Sequence, residues 1–198
     1  METVRLSFPI YLVRHGETDW NLEGRLQGGQ DIPLNDLGRV QAREAAGRLR
    51  NLMLPLDDFD FIASPMSRTR ETMEILRNTL GFNPGQYDQD ERLREITFGS
   101  WEGLTWREVK ARDPDRARAR EQDKWGYVPP EGESYRMLCA RIRPVVEGLR
   151  RQSVIVSHGG VARAILALTG AAERHEAATM DIWQGRILRV SDGQAEWI

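Results

Sequence analysis

The chain has 198 residues, with 28 lysines and arginines against 30 aspartates and glutamates, a formal charge of -2 and 40% hydrophobic residues. This length and apolar content fit one domain with a substantial core, and the near-neutral charge gives no sign of a nucleic-acid-binding protein. Cys139 is the only cysteine, which excludes an intramolecular disulfide and a cysteine-based zinc site and fits a cytoplasmic location. We expect no metal, because the three histidines lack HExxH-type spacing, and neither a signal peptide nor a membrane-spanning segment.

The first apolar run covers about residues 6–13 and stops abruptly at Arg14-His15-Gly16. Such a run predicts a buried strand ending in a turn, and ligands bind at the carboxyl ends of strands in open α/β sheets. The guanidinium of Arg14 suits phosphate oxygens, and a neutral His15 imidazole can attack phosphorus. Gly16 is expected to let the backbone approach the anion. The alternative, an ordinary histidine at a strand end, is disfavoured by the matching features that follow.

Residues 19–33 are predicted to form a glycine-rich loop. Asn21, Arg25, Gln27 and Gly28 lie close in sequence to the Arg-His turn and could line an anion pocket. A plain surface loop explains any one of these residues, taken alone, equally well.

A helix is predicted over residues 36–52 and a second buried strand over residues 59–63. The next helix is expected to begin at Ser64-Pro65, with proline in the first helical position. This places Arg68 in the first turn, where the helix dipole disfavours a cation, so a bound anion is a natural reason for it. We interpret Arg70 as an exposed residue paired with a nearby glutamate.

Glu95 lies among apolar residues ahead of a glycine. A partly desolvated carboxyl group has its charged form disfavoured, which suits a general acid; an ion pair with Arg92 or Arg94 is the alternative. The charged segment that follows, residues 100–131, is interpreted as an insert over the carboxyl edge of the sheet. It fits a substrate lid and a solvated helix equally well, and Asp113-Pro114 favours a break within its helix.

The clearest buried strand, residues 153–157, ends at His158-Gly159-Gly160 and leads into another helix. This repeats the geometry of the Arg14-His15-Gly16 turn, and two histidines at two strand ends can converge on one crevice. A last strand or hairpin is expected near residues 182–190. The order of elements predicts an α/β fold with three layers and a mostly parallel central sheet. Trp183 and Trp197 could belong to the core or to a homodimer contact.

Five separated motifs together resemble the histidine phosphatase superfamily, also called the phosphoglycerate mutase-like family. They are Leu12-Val13-Arg14-His15-Gly16-Glu17-Thr18; Asp31 with Pro33-Leu34 and Gly38; Ser64-Pro65 with Arg68 and Thr72; Leu93-Arg94-Glu95 with Phe98-Gly99 and Trp101-Glu102-Gly103; and Ser157-His158-Gly159-Gly160. One short motif could arise by chance, but five in order over about residues 10–165 are hard to explain otherwise.

The resemblance implies a role for each matching residue. His15 would be the nucleophile that becomes phosphohistidine, and Glu95 would donate the proton to the leaving oxygen. Arg14, Arg68 and His158 would surround the phosphoryl group. Asn21 and Gly159 fall at positions expected to contact the phosphate, and no cofactor is implied.

The acidic motif distinguishes two branches of this family. Cofactor-dependent mutases read Glu-Arg-His-Tyr-Gly there, whereas this chain has Ile96, Thr97 and Phe98 between Glu95 and Gly99. The uncharged residues predict a more apolar pocket and favour a phosphatase acting on a small-molecule phosphate ester. Phosphoglycerate mutase activity is the alternative, supported by the arginines of the insert, one of which could fold over the site. A non-catalytic phospho-ligand-binding module is a third possibility, disfavoured because no core residue is lost.

Overall fold

The computed structural model describes residues 2–198, and a six-stranded sheet forms its centre. The strands are β1 (Ile10–Arg14), β2 (Asp60–Ala63), β3 (Asp88–Gln89), β4 (Ser153–Ser157), β5 (Ile187–Ser191) and β6 (Gln194–Trp197). They lie in the order β3-β2-β4-β1-β5-β6. The first four strands pair in parallel, and β5 and β6 add an antiparallel hairpin at one edge.

Helices cover both faces of this sheet. They are α1 (Asp19–Leu22), α2 (Asp36–Asn51), α3 (Ser67–Leu80), α4 (Trp106–Arg112), α5 (Pro114–Gln122), α6 (Tyr135–Gly148), α7 (Gly159–Thr169) and α8 (Arg174–Ala177). Side chains alternate along β1, so Ile10 and Leu12 pack with α6 and α7, while Tyr11 and Val13 pack with α2 and α3. The predicted three-layer α/β fold is confirmed.

Two element boundaries differ from the prediction. β1 begins at Ile10 rather than near residue 6, because Pro9 has no N–H to donate to a strand ladder. α3 begins at Ser67 rather than Pro65, because the Ser64 N–H still bonds to the Val156 carbonyl at 3.0 Å, as a strand residue would. Helix α3 is instead capped from outside the element.

That cap is Asp31, whose Oδ1 accepts hydrogen bonds from both the N–H and the hydroxyl of Ser67 at 2.8 Å.

Residues 19–33 are less irregular than predicted, since they contain α1. In the charged segment the helix breaks at Asp113, as Asp113-Pro114 favoured, and gives α4 and α5. In residues 2–198 no helix combines the length and the apolar character needed to cross a membrane.

Candidate active site

The two predicted histidines meet because their strands are neighbours. β1 and β4 are parallel and in register, with Arg14 opposite Ser157, so the following residues, His15 and His158, emerge side by side at the carboxyl edge. Their ring centroids are 5.2 Å apart at an angle of 64°. A cavity of about 230 Å³ opens there. All but one of the predicted site residues line it: Arg14, His15, Asn21, Arg25, Gln27, Gly28, Arg68, Glu95 and Gly159. The exception, His158, lies against His15.

His15 has one fixed tautomer. Its Nδ1 lies 2.7 Å from the Gly16 carbonyl oxygen, and a carbonyl can only accept, so Nδ1 carries the hydrogen. Burial, followed by the charges of Arg68 and Arg14, holds the pKa of His15 well below its ordinary value. Nε2 is therefore unprotonated at neutral pH and has a lone pair available for attack.

Gly16 has a packing role that the sequence did not indicate. A Cβ at Gly16 would lie 2.7 Å from the Cα of Gly38 in α2 and closer still to the Gly38 carbonyl oxygen. In turn, a Cβ at Gly38 would lie 2.7 Å from the Glu17 nitrogen. The two glycines let the His15 turn cross the start of α2 backbone to backbone, which is a packing requirement.

Two arginines flank the nucleophile, and Arg68 is buried whereas Arg14 is half-buried. Arg68 is 0% exposed and donates to the carbonyls of Gln30 at 2.7 Å and Gly28 at 3.2 Å. Arg14 donates to the Ile182 carbonyl at 2.9 Å. In the described part of the chain the Nε atoms of both arginines are buried without a hydrogen-bond partner.

No strong carboxylate partner compensates these charges. The contact of Arg68 with Asp31 is long, at 3.9 Å, and burial lowers the pKa of Arg68 to about 10. Buried cations with unused donors favour binding of an anion.

His158 is 1% exposed, and its Nε2 lies 2.8 Å from the hydroxyl of Ser64. Within residues 2–198, its Nδ1 is buried and has no partner. Burial, then the charges of Arg68, His15 and Arg14, lowers the pKa of His158 well below its ordinary value. His158 is therefore a neutral group with an unused polar atom beside the nucleophile.

Glu95 is half-buried, but its surroundings are not the apolar ones predicted. Oε1 accepts from the Ile96 N–H at 2.9 Å, and Oε2 accepts from the Gly160 N–H at 3.2 Å, in the first turn of α7. Each oxygen of Glu95 is therefore held by one backbone N–H in the resting site. The predicted alternative, an ion pair with Arg92 or Arg94, is not formed, since those residues pair with Asp90 and Glu91.

The predicted loop residues contribute to the site in different ways. The Oδ1 of Asn21 is occupied by the capping box of α1 and accepts from Gln184 Nε2 at 3.1 Å. Gln27 is 7% exposed, and in the described chain its Oε1 has no partner. Gly28 has φ +52° and gives its carbonyl to Arg68.

A second group of cations, mostly missed by the sequence analysis, lines the same cavity. Arg120 is 8% exposed, and its Cζ lies 4.5 Å from the ring centroid of Trp106. Lys124 and Arg163 lie on the cavity wall as well. Burial, then the charges of Arg163 and Arg120, lowers the pKa of Lys124. The pocket beside the nucleophile is therefore cationic rather than apolar, although Phe98 and Trp106 also line it.

Signals for some of these residues were present in the sequence. Arg163 is a lone cation in an apolar helix, one turn after His158-Gly159-Gly160. For Arg120 the sequence indicates only that one of several arginines in the insert could reach the site. Among residues 2–198 no group of three or more His, Cys, Asp or Glu side chains is placed to hold a metal ion.

The chain is similar to known proteins in sequence and in fold. A family profile described as "Histidine phosphatase superfamily (branch 1)" matches residues 10–197. The 6-phosphofructo-2-kinase/fructose-2,6-bisphosphatase of Gallus gallus is 38% identical over 160 residues, which are 80% of this chain and 32% of that protein. This chain thus spans about a third of the length of such curated relatives.

Two solved structures have the same fold. The protein TTHB049 from Thermus thermophilus is 34% identical, with a TM-score of 0.73, and the match covers 94% of this chain and 95% of that one. "Mycobacterial hydrolase 1" is 27% identical, with a TM-score of 0.80, and the match covers 97% of this chain and 96% of that one.

Proposed function

The chain belongs to the histidine phosphatase superfamily, and we propose that it is a phosphomonoester hydrolase that works through a phosphohistidine on His15. The state of His15 supports this best: the Gly16 carbonyl holds its Nδ1–H, and its lowered pKa leaves Nε2 unprotonated. Arg14 and Arg68 beside it offer buried, unused donors. A free nucleophile next to unsatisfied cations suits attack on a phosphate ester.

In the first step, His15 Nε2 forms a bond to phosphorus while the bond from phosphorus to the ester oxygen breaks. Arg14, Arg68 and His158 stabilise the charge that spreads over the phosphoryl oxygens. Glu95 protonates the departing alkoxide. Two backbone hydrogen bonds hold this carboxyl group in place, and the proposed role requires Glu95 to carry a proton when the substrate is bound.

In the second step, Glu95, now ionised, removes a proton from water as the water attacks phosphorus. The bond from phosphorus to Nε2 breaks, phosphate leaves, and neutral His15 is restored. One carboxyl group thus serves as acid and then as base.

The second cation group supports a substrate with a further anionic group. Arg120, Lys124 and Arg163 lie together on the wall, and their mutual repulsion is relieved when an anion binds between them. The relatives named fructose-2,6-bisphosphatase make a sugar bisphosphate the first substrate to test. Because Trp106, Arg120 and Lys124 belong to residues 100–131, that insert would act as the substrate lid.

A phosphoglycerate mutase is the second candidate, and Arg120 is the observation that favours it. A mutase also needs a cation for the second acidic group of its substrate, and an insert arginine does reach the cavity. Ile96 and Phe98 stand, however, where the mutases carry polar or charged residues.

Three compounds separate these functions: fructose 2,6-bisphosphate, 3-phosphoglycerate and p-nitrophenyl phosphate. Phosphate release and isomer formation are measured for each where they apply. We expect release to be fastest from the bisphosphate at low concentration, with no conversion of 3-phosphoglycerate to 2-phosphoglycerate. Isomer formation exceeding release would support the mutase instead.

The cationic wall is tested with Arg120→Gln, using Arg118→Gln as the matched control. Arg118 is on the same helix, but its side chain is 70% exposed. A lost charged hydrogen bond of about 1.5–3 kcal/mol raises KM for the bisphosphate roughly 10- to 100-fold. KM for p-nitrophenyl phosphate should stay within about twofold, because that ester has no second anion. An equal rise for both esters would contradict the assignment.

The covalent step is tested by quenching the enzyme with alkali during turnover of radiolabelled substrate. Wild-type protein should retain label that is stable to alkali and released by acid. The His15→Ala variant should retain no label and lose all turnover. Unimpaired turnover in that variant would refute the mechanism.

A further inference from the structure

A second cavity lies on the opposite side of the molecule from His15. Its volume is about 540 Å³, and it opens at the edge of the sheet where the parallel strands begin. Asp60 begins β2, Asp88 begins β3, and Arg151 lies just ahead of β4. These three residues line the cavity. The nucleophile follows the carboxyl end of β1, so the two cavities are separate.

Arg77 is the unusual residue of this cavity. It lines the wall, yet it is only 6% exposed. Its Cζ lies 4.5 Å from the ring centroid of Phe61 and 5.3 Å from that of Phe82, so two aromatic rings hold the guanidinium in place. Its Nε donates to the Asn83 carbonyl at 2.9 Å.

The remaining donors of Arg77 are unused. Across residues 2–198 the Asn83 carbonyl is the one hydrogen-bond partner of this side chain, and no carboxylate pairs with it. Burial lowers the pKa of Arg77, and no neighbouring charge offsets that effect. Unlike the Nε atoms of Arg14 and Arg68, the Nη atoms of Arg77 are not shut off from solvent, so they face the open cavity and can bind a ligand. Nη1 and Nη2 form a planar fork that matches a carboxylate.

We propose that this cavity binds a small carboxylate, with the carboxyl group on the Nη atoms of Arg77. The bound carboxylate supplies the negative charge and the acceptors that Arg77 lacks. The aromatic rings of Phe59, Phe82 and Tyr87 on the same wall provide apolar contact for the rest of the molecule.

The other charges of the wall narrow the class of ligand. Asp57 and Asp88 line the cavity without an ion-pair partner in the described chain, while Arg151 is neutralised by Asp60 at 2.8 Å. This balance disfavours a phosphate dianion. It favours a ligand that combines one carboxylate with a positive charge or a hydrogen-bond donor. A free α-amino acid has both groups on one carbon, and we assign the cavity to that class.

Three probes with the same phenyl group separate the two contacts. Phenylalanine carries the carboxylate and the ammonium group, 3-phenylpropionate carries the carboxylate alone, and 2-phenylethylamine carries the ammonium group alone. Binding is followed by amide NMR titration of the full chain up to about 10 mM ligand. We expect phenylalanine to bind most tightly and the amine most weakly, with shifts confined to residues 56–61, 77 and 82–88.

Variants on one helix test the role of Arg77. Arg77→Lys keeps the charge and loses the fork, so carboxylate binding should weaken about tenfold, and Arg77→Met should abolish it. Arg70→Met is the matched control, because Arg70 is an exposed arginine of α3, and binding should not change. Should Arg77→Met fail to fold, Arg77→Lys decides.

A separate variant, Asp88→Asn, leaves Arg77 untouched. It should narrow the difference in affinity between phenylalanine and 3-phenylpropionate. The proposal is overturned if neither carboxylate binds, if the amine binds as well as phenylalanine, if Arg77→Lys leaves affinity unchanged, or if the shifts map to residues 14–28. None of these outcomes depends on whether the chain hydrolyses phosphate esters.

Discussion

Replacing Gly38 with alanine tests whether the crossing of the His15 turn over α2 is as tight as the structure shows. Helix propensity alone predicts that Gly38→Ala stabilises the protein by up to about 1 kcal/mol, since Gly38 is in the first turn of α2. The new Cβ, however, would lie 2.7 Å from the Glu17 nitrogen and nearer still to the Glu17 oxygen. The two effects have opposite signs, so the sign of the measured change identifies the dominant one.

The steric effect should dominate. Overpacking destabilises proteins by about 1–3 kcal/mol, and the upper end applies here because backbone atoms cannot rotate away as a side chain can. After the propensity gain, the free energy of unfolding should fall by about 2 kcal/mol, which lowers Tm by about 4–8 °C for a chain of this size. Glu17 adjoins the Gly16 carbonyl that holds His15, so displacement should also lower kcat/KM about tenfold or more.

Gly47→Ala in the same helix is the matched control. A Cβ there meets no atom within 4 Å, so propensity acts alone, and Tm should rise by about 2–4 °C with kcat/KM unchanged. Urea and thermal unfolding of both variants give the comparison. If Gly38→Ala were as stable as Gly47→Ala and fully active, the backbones would not cross this closely, and the two glycines would not be what positions His15.

Two further predictions concern protons. Glu95→Gln should reduce kcat far more for alkyl phosphates than for p-nitrophenyl phosphate, because the p-nitrophenolate leaving group needs no acid. Equal losses of kcat for the two classes of ester in steady-state assays would count against the role of Glu95 as a proton donor. The pKa values of His15 and His158 are lowered in the folded protein. Below about pH 6.5, the ordinary pKa of histidine, the unfolded chain therefore binds more protons than the folded one. The free energy of unfolding should consequently fall as the pH falls below about 6.5. Urea midpoints at pH 7.5 and 5.5 measure this loss. This loss of stability between pH 7.5 and 5.5 should be smaller in His158→Gln than in the unsubstituted protein.

The elements that carry the nucleophile were predictable because their signals are local. An apolar run that stops at a histidine and a glycine fixes both a strand and its end, and this holds for β1 and β4 alike. Boundaries set by distant residues were not predictable. The start of α3 depends on Asp31, whose carboxylate reaches Ser67 from 36 residues earlier in the chain. Propensity at Ser64-Pro65 contains no information about that contact.

The cationic wall shows the same limit at the level of the site. A segment as charged as residues 105–121 is normally a solvated helix face, and Arg118 in it is exposed. Arg120, two residues later, is buried because the ring of Trp106 packs against its guanidinium. That contact joins α4 to α5 across the break at Asp113, and the charge pattern alone does not indicate which arginine turns inward.

Helix α7 links the choice of substrate to proton transfer. Its Gly160 N–H holds Oε2 of Glu95 at 3.2 Å, and Arg163, on the cavity wall, lies three residues further along the helix. Residues three apart face the same side of a helix, about 5–6 Å from each other. If Arg163 binds an anionic group of the substrate as proposed, that group is positioned relative to the carboxyl group of Glu95. Arg120, on α5, is connected to Glu95 less directly, since its Cζ lies 5.8 Å from the ring centroid of Phe98, three residues after Glu95. We therefore expect a substitution at Arg163 to alter substrate binding and proton transfer together.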